Sequence, residues 1–330
     1  MPNKVLVIGS NSFSGSHFVN YLLNKGYEVI GSSRSNQPNK VFLPYASNTN
    51  YKKFSFCRCN LNRDQKPLIR IIKKEKPKYI VNFAAQGMVA QSWESPLDWF
   101  NTNVISQIKL HDEIRKFDFI EKYVHFSTPE VYGNTNKWIK ENNQFSPNTP
   151  YATSRAACDL NLISFYKNYN FPVVFTRAAN VFGPSQQLYR IIPRSIISCL
   201  LDFKMDLHGG GVSERSFIDI RDTADAAFKV MAAGEIGKTY HISSRRKISI
   251  KDIVLKVFSI MGKDFDKLVN VSEERLGKDQ AYLLNSTKIR KELDWKEQFK
   301  LDQTIIDTIT WAKDNIETLK KLPHVYIHKK

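Results

Sequence analysis

Hydrophobic and polar positions in the first thirty residues follow the order strand, helix, strand. Residues 4 to 8 (KVLVI) form a β-branched apolar run that ends at Gly9, which predicts a buried parallel strand. Residues 27 to 31 predict a second strand, after a helix that Gly26 ends. A βαβ unit of this size is typical of dinucleotide binding, with the pyrophosphate at the helix N-terminus. The apolar residues at helical spacing are Phe18, Val19, Leu22 and Leu23.

The same alternation of helical and strand patterns continues to about residue 176. Strands separated by helices of this length predict a parallel sheet with helices on both faces. We therefore predict an α/β fold with a Rossmann-like, doubly wound parallel sheet. The predicted elements are helices at 65–74, 97–116 and 151–168 and strands at 79–83, 122–126 and 173–176.

After Arg177 the pattern loosens into GP and GGG turns between helical segments. These segments predict a smaller α/β region that holds the substrate. We place the boundary at residue 180, which gives a dinucleotide-binding domain (1–180) and a substrate-binding region (181–330) that interleave. The helical segments lie near 191–201, 222–233, 250–261 and 301–319.

Composition limits the partners, the compartment and the metal sites expected for this chain. Its 330 residues carry a net charge of +17, but Lys and Arg are scattered, so we expect no nucleic-acid partner. There is no apolar run of eighteen residues and no charged-then-apolar leader, which predicts a cytoplasmic protein without a membrane partner. The cysteines form no C-x-x-C pair and accompany no His cluster at ligand spacing, so we expect no metal site. They are Cys57, Cys59, Cys158 and Cys199.

The loop after the first strand, GSNSFSG at 9–15, has Ser12 where a G-x-x-G-x-x-G loop carries its middle glycine. After the second strand the chain offers Arg34 and no acidic residue. An acid there suits the ribose of NAD, whereas an arginine suits the 2′-phosphate of NADP. We therefore favour NADP over NAD, with a solvated loop cation as the alternative interpretation of Arg34.

The stretch from Phe126 to Arg155 contains the candidate chemistry. Thr128 and Glu130 follow a predicted strand, and Tyr151 stands after Pro150, a residue common at the start of a helix. Arg155 then lies one turn beyond Tyr151 on the same face. A nearby cation lowers the pKa of a phenol, which would make this pair an acid/base device. A buried tyrosine with a surface arginine is the alternative.

The order and spacing of several motifs resemble the extended short-chain dehydrogenases/reductases. Within that superfamily of NAD-dependent epimerases and dehydratases, the chain most resembles the nucleotide-sugar 4,6-dehydratases over almost its whole length. The motifs are VIGSNSFSG, NFAAQ (82–86), SWESP (92–96), STPEVYG with YATSR, TRAANVFGP (176–184), IIPRSI (191–196), GGGVSERSFIDIRD (209–222) and NSTKIRKELDW (285–295).

The resemblance implies positions for the cofactor and the substrate. Arg34 would face the adenosine ribose or its phosphate, and Tyr151 and Arg155 the nicotinamide end. A nucleotide-diphosphate hexose would be the substrate, because guanidinium groups suit a diphosphate. The other implied cofactor residues are Gly9, Ser12, Phe13, Gly15, Asn60, Leu61, Ala84 and Ala85, and the implied substrate residues are Gln86, Asn180, Arg190 and Arg215.

The resemblance also implies a reaction. Tyr151 would take the proton of the sugar 4-hydroxyl while hydride leaves C4 for the nicotinamide, with Thr128 bonded to the same oxygen. Glu130 would remove the C5 proton, which the 4-keto group acidifies, and help expel the 6-hydroxyl as water. Return of hydride to C6 would give a 4-keto-6-deoxy sugar.

Two positions depart from the family pattern. Pro129 stands where dehydratases of TDP-glucose have an aspartate, and Arg155 stands where the superfamily has a lysine. A 4-epimerase, a uronate decarboxylase of the same superfamily and a nucleotide-sugar binding protein without catalysis remain alternatives. In the family, two helices of each chain pair as a four-helix bundle, so we expect a homodimer.

Three polar residues have structural alternatives. Gln86 and Asn103 either contact a ligand or satisfy buried backbone groups at strand ends. Arg215 either binds phosphate or forms a local salt bridge to Glu214 or Asp219.

Overall fold

The computed structural model describes residues 4–135, 137–274, 277 and 279–329. Within these ranges the strands are β1 (Lys4–Ile8), β2 (Glu28–Ser33), β3 (Phe54–Arg58), β4 (Tyr79–Asn82), β5 (Lys122–Ser127), β6 (Val173–Ala178), β7 (Asn180–Phe182), β8 (Met205–His208), β9 (Glu214–Arg215), β10 (Phe217–Asp219), β11 (Thr239–Ile242), β12 (Ile248–Ser249) and β13 (Val269–Ser272).

Helices separate most of these strands. They are α1 (Phe13–Asn24), α2 (Lys66–Glu75), α3 (Gln91–Glu94), α4 (Pro96–Phe100), α5 (Ser106–Ile114), α6 (Pro150–Tyr169), α7 (Ile191–Leu201), α8 (Ile220–Ala233), α9 (Ile250–Ile260), α10 (Phe265–Leu268), α11 (Thr287–Glu292), α12 (Leu301–Asp314) and α13 (Ile316–Leu319). A π-helical turn, Asn101–Ile105, joins α4 to α5, and a 3₁₀ turn, Pro129–Tyr132, follows β5.

Seven strands form one parallel sheet in the order β11-β6-β5-β4-β1-β2-β3. The predicted Rossmann-like parallel sheet is therefore confirmed. The strand order reverses between β1 and β4, which is where ligands bind in open α/β sheets. Both β1 neighbours are in register, with Val7 opposite Gly31 on β2 and Val81 on β4.

Both faces of the sheet are covered because alternate residues of β1 enter different cores. Val5 and Val7 join one buried cluster, whereas Leu6 and Ile8 join another on the opposite face. A third cluster, which includes Ile196 of α7, forms the core of the C-terminal region. Packing on both faces explains why the sequence of β1 is an uninterrupted apolar run.

Several helix boundaries in the structure differ from the predicted ones. The helix expected over 97–116 is divided into α4, the π-helical turn and α5, and the one expected over 301–319 is divided at Asn315. The sequence analysis did not predict β3. Strand β11 belongs to the central sheet although it follows residue 180, and the domain boundary stays a prediction.

The second region adds three two-stranded sheets: β7 with β10, β8 with β13, and β9 with β12. His208 of β8 and Arg215 of β9 line the cavity described below. No helix within the described ranges is long and apolar enough to cross a membrane.

Candidate active site

The first loop forms a tight cradle between β1 and α1. Gly9 has φ +83°, and a Cβ on it would lie 2.8 Å from the backbone nitrogen of Ala84. A Cβ on Gly15 would lie 2.2 Å from the carbonyl oxygen of Gly9. Ser12 caps α1 by accepting from the Gly15 N–H at 3.1 Å. The first turn of α1 holds no acidic residue. The loop thus fits a dinucleotide pyrophosphate, which needs close backbone approach and a helix N-terminus.

Three other residues predicted at the cofactor make contacts within the protein. The guanidinium of Arg34 donates through Nη1 to the carbonyl of Lys329 at 2.9 Å. The side chain of Asn60 accepts from the Asn62 N–H at 3.0 Å, which closes a turn after β3, and Leu61 packs against the sheet core. Asn60 and Leu61 therefore stabilise this loop, and their contact with an adenine ring stays a prediction.

A cavity of about 650 Å³ brings most of the predicted residues together at the carboxyl end of the sheet. Five of the predicted residues do not line it: Gly9, Gly15, Asn60, Leu61 and Ala84. Those that line it are Ser12, Phe13, Arg34, Ala85, Gln86, Thr128, Glu130, Tyr151, Arg155, Asn180, Arg190 and Arg215.

The 3₁₀ turn after β5 fixes the position of the predicted base. The hydroxyl of Thr128, the residue before this turn, donates to the carboxylate of Glu130. Burial raises the pKa of Glu130 to about 7, and the nearby Arg215 and Arg190 oppose that rise only in part. A carboxyl group with this pKa can both accept and return a proton near neutral pH.

Tyr151 lies at the start of α6, where Thr149 caps the helix and Pro150 is its first residue. Burial raises the pKa of Tyr151 to about 12, and the charge of Glu130 adds to the rise. Arg155 and a hydrogen bond with Thr128 act in the opposite direction but are weaker. Arg155 therefore lowers the pKa of this phenol as predicted, but burial outweighs that effect and the net shift is a rise.

Arg155 is buried, which excludes the alternative of a surface arginine. Its Nη2 donates to Nε2 of His125 at 3.2 Å and to the carbonyl of Phe126. Its Nη1 is buried and has no hydrogen-bond partner among the described residues. Since a buried unpaired donor is costly, this nitrogen suits an acceptor on a bound ligand, such as a ribose hydroxyl.

A buried acid that the sequence analysis missed supports the strand that precedes Thr128. Asp159 accepts from Nη2 of Arg177 and from the hydroxyl of Ser127, both at 2.7 Å, and its other oxygen lies 3.3 Å from Nε2 of His125. Burial alone would raise the pKa of Asp159, but Arg177, His125 and Arg155 together hold it well below its usual range. The available signal was the spacing of Asp159, one turn after Arg155 on α6.

The structure also brings together His111, His125 and Cys158, with candidate ligand atoms within 4.8 Å of one another. These residues are distant in sequence, so ligand spacing could not reveal the cluster. Nε2 of His111 bonds the Tyr123 hydroxyl at 2.9 Å, and Nε2 of His125 accepts from Arg155. The adjacent guanidinium opposes a divalent cation at this position.

Arg215 points into the site but is held by backbone carbonyls. It donates to the carbonyls of Glu214 at 2.8 Å, Gln280 at 3.0 Å and Asp279 at 2.7 Å, and its guanidinium lies 4.2 Å from the centre of the Tyr282 ring. Neither local salt bridge considered for it is present among the described residues, since Glu214 pairs with a lysine and Asp219 with another arginine.

Gln86 has both structural and ligand-facing contacts. Asn103 accepts from the Gln86 N–H at 2.8 Å and donates to its carbonyl at 3.1 Å. The backbone of Gln86 is thereby fixed, which confirms the structural interpretation of Asn103. The amide of Gln86 lines the cavity and donates to the carbonyl of Lys329 at 2.8 Å.

Arginines and an amide lie at the far end of the cavity. Asn180 accepts from the Tyr282 hydroxyl at 2.7 Å. Arg190 is exposed and immediately precedes α7, and Arg194, which the sequence analysis missed, lines the cavity one turn later. Two guanidinium groups beside a helix N-terminus favour an anionic ligand.

Comparison with known proteins shows the family to which the chain belongs. Residues 6–308 match the family described as GDP-mannose 4,6 dehydratase. A trifunctional UDP-glucose 4,6-dehydratase/UDP-4-keto-6-deoxy-D-glucose 3,5-epimerase/UDP-4-keto-L-rhamnose-reductase of Arabidopsis thaliana is 28% identical over 324 residues. That match covers 96% of this chain and 48% of the relative, so the chain spans about half of that protein.

Two further relatives match over more than nine tenths of their length. The dTDP-glucose 4,6-dehydratase of Xanthomonas campestris is 26% identical over 336 residues, covering 94% of this chain and 93% of the relative. A crystal structure of dTDP-glucose 4,6-dehydratase from Streptomyces venezuelae with NAD bound has a TM-score of 0.90 and 28% identity, covering 97% of this chain and 100% of that one. The resemblance found in the sequence is confirmed: the chain belongs to the GDP-mannose 4,6-dehydratase family, within the NAD-dependent epimerase/dehydratase superfamily.

Proposed function

We propose that this protein is a nucleotide-diphosphate-hexose 4,6-dehydratase that forms a 4-keto-6-deoxy sugar. The proposal depends on the position of Glu130, which lines one cavity together with Thr128 and Tyr151, beside the loop that fits a dinucleotide. The pKa of Glu130 is raised to about 7. Elimination next to a keto group needs a carboxylate base there. A simple 4-epimerization needs no base at C5, because it only removes and returns the C4 hydride and the proton of the 4-hydroxyl.

The nicotinamide dinucleotide supplies the transient oxidation at C4 and the later reduction at C6. Tyr151 takes the proton of the 4-hydroxyl, and Thr128 bonds the same oxygen. The phenol has a pKa of about 12 in the ligand-free site, so its activation depends on the positive charge of the oxidised cofactor and on Arg155. Burial keeps the group protonated until the site is filled.

Glu130 then removes the C5 proton and returns a proton to the departing 6-hydroxyl. Pro129 offers no carboxyl group at the neighbouring position. A pKa near 7 leaves Glu130 divided between its two protonation states at neutral pH, so it can perform both transfers. We therefore assign to one residue the base and acid functions that an Asp and Glu pair could divide.

We propose NAD as the cofactor. The solved relatives from Streptomyces venezuelae and Bacillus anthracis contain NAD, so the preference for NADP expected from Arg34 gains no support from them. In addition, Nη1 of Arg34 already donates to the Lys329 carbonyl. Binding measured in parallel with NAD and NADP tests the choice, and tighter binding of NADP would restore the first expectation.

A homodimer is proposed from exposed apolar side chains on three adjoining helical elements. Leu97 on α4, Ile105 on the π-helical turn and Leu160 on α6 are 76%, 48% and 53% exposed. Three large apolar residues on adjoining helical segments are unusual on a monomer surface. Light scattering of the purified protein measures the assembly, and Leu160→Glu should shift a dimer to monomers.

The activity is tested by incubating the purified protein with UDP-, TDP-, GDP- and CDP-hexoses and weighing the products. Loss of water identifies a dehydratase. Loss of carbon dioxide from a uronate identifies a decarboxylase, and a product of unchanged mass with a new retention time identifies an epimerase. Binding of nucleotide sugar with no product would overturn the proposal in favour of a binding protein.

A further inference from the structure

The last described segment, 323–329, which we call the strap, lies beside the cavity and contributes Tyr326 to its lining. Its residues alternate between exposed and partly buried along the chain. Val325 and Ile327 are 59% and 56% exposed, whereas Tyr326 and His328 are turned inwards. A period of two is expected of extended backbone that lies on a surface with one face.

The first part of the strap is fixed to the C-terminal region. The His324 ring stacks on Phe203 with centroids 5.5 Å apart. Tyr326 meets Tyr189 edge to face at 5.3 Å, and both tyrosines line the cavity. This half of the strap therefore rests on the substrate side of the cleft.

The second part is fixed to the dinucleotide-binding sheet. Nε2 of His328 bonds the Asp98 carboxylate at 2.7 Å, and its ring stacks on the buried Trp99 at 5.1 Å. The carbonyl of Lys329 accepts from Arg34 at 2.9 Å and from Gln86 at 2.8 Å.

Arg34 and Gln86 follow β2 and β4, the strands on the two sides of β1. One carbonyl thus bridges the segments that follow the two neighbours of β1, at the switch point where open α/β sheets bind a dinucleotide.

We propose that the strap completes the cofactor site and retains the dinucleotide through repeated turnovers. The inference rests on the proposed function in so far as the cleft takes a nicotinamide dinucleotide. In that reaction the hydride removed at C4 returns at C6, so the cofactor ends each cycle in its starting state and has no need to leave. A bridge across the crevice slows its departure, because release requires breaking the contacts on one wall.

The test measures cofactor release and not sugar conversion. Purified protein loaded with NADH is mixed with excess NAD, and the loss of NADH fluorescence gives the dissociation rate. We expect Tyr326→Ala with His328→Ala to raise that rate by about ten- to a hundredfold, since a stacked ring and a hydrogen bond each slow release several-fold. A chain shortened after Leu322 should release NADH at least as fast.

Val325→Ser with Ile327→Ser is the matched control, because it changes the same segment on its exposed face. Its rate should stay within about twofold of the parent, and the thermal midpoint of all variants should be similar. An unchanged rate in the Tyr326 and His328 variant would overturn the proposal. A slower rate would also overturn it, because the strap would then compete with the cofactor.

The two proposals fail in different ways. Dehydration with unaltered NADH release in the strap variants rejects the strap alone. Strap-dependent retention in a protein that converts no hexose rejects the dehydratase alone. Failure of the parent protein to bind either nicotinamide dinucleotide rejects both.

Discussion

Nη2 of Arg155 donates to Nε2 of His125 at 3.2 Å, although Arg155 follows Tyr151 by one turn of the same helix. The two terminal nitrogens of the guanidinium therefore have different surroundings. One nitrogen is fixed under the end of β5 by His125 and Phe126, while Nη1 remains without a protein partner among the described residues. Unlike the lysine of the superfamily, an arginine has two terminal nitrogens, so that one is held by the protein while the other stays available.

Arg155→Lys should lower the stability of the protein without slowing its turnover. A lysine keeps a cation near Tyr151 but cannot hold both buried acceptors, so we expect equal or faster turnover and a loss of about 1–2 kcal/mol in the free energy of unfolding. Steady-state kinetics and urea unfolding measure the two quantities. Arg155→Met, which removes the charge, should be much slower. A large loss of turnover in the lysine variant would show that the guanidinium is specifically required.

Glu130→Gln should abolish dehydration and leave cofactor binding intact. General acid and base catalysis contributes about 10²- to 10⁴-fold, and one residue carries both transfers here. In the parent, turnover should fall below about pH 7 as Glu130 takes up a proton. Product mass and a pH profile test both statements. Retained activity, or a profile without this acidic limb, would mean that another group is the base.

The same substitution should stabilise the protein at high pH. The folded-state pKa of Glu130, about 7, lies above its ordinary value of 4.5, so folding favours the protonated form. Stability from this group is complete below pH 4.5 and is lost as the pH rises through 7. Glu130→Gln should therefore match the parent near pH 4.5 and exceed it by on the order of 2 kcal/mol at pH 8.5. Urea midpoints at the two pH values measure the difference, and equal midpoints at pH 8.5 would contradict it.

Arg177→Met should destabilise the fold strongly. It leaves Asp159 charged and buried without its closest cation, and breaking a buried pair costs about 3–5 kcal/mol. Thermal and urea unfolding measure the loss. Lys78→Met is a matched control, because it breaks an ion pair with Glu121 in which both side chains are about half exposed. Comparable losses of stability in the two variants would show that the buried ion pair contributes no more to the free energy of unfolding than an exposed one.

Gly15→Ala should weaken cofactor binding. The added Cβ would lie 2.2 Å from the Gly9 carbonyl oxygen, so the loop must shift away from the position that fits a pyrophosphate. Overpacking of this kind costs about 1–3 kcal/mol, which corresponds to about a ten- to hundredfold weaker Kd for NAD. Titration calorimetry measures the affinity, and an unchanged Kd would show that the loop adapts.

Local patterns were sufficient for the first βαβ unit and for the alternation of most later helices and strands. The β1 run, the Gly9 to Gly15 loop and the position of Tyr151 at a helix start depend on side-chain period and turn chemistry within short windows. Element boundaries were less accurate. The π-helical turn at Asn101–Ile105 divides a helix that was predicted as continuous, and β3, only five residues long, was not predicted.

The sequence by itself determined the Rossmann-like parallel sheet, the family and the residue types around the cavity. Only the tertiary structure decided the direction of Arg155, the net rise in the pKa of Tyr151, the pairing of Asp159 with Arg177 and the path of the strap. These features depend on burial and on partners far away in the chain. Gln86 and Lys329 are 243 positions apart, and no local pattern indicates that one will donate to the other.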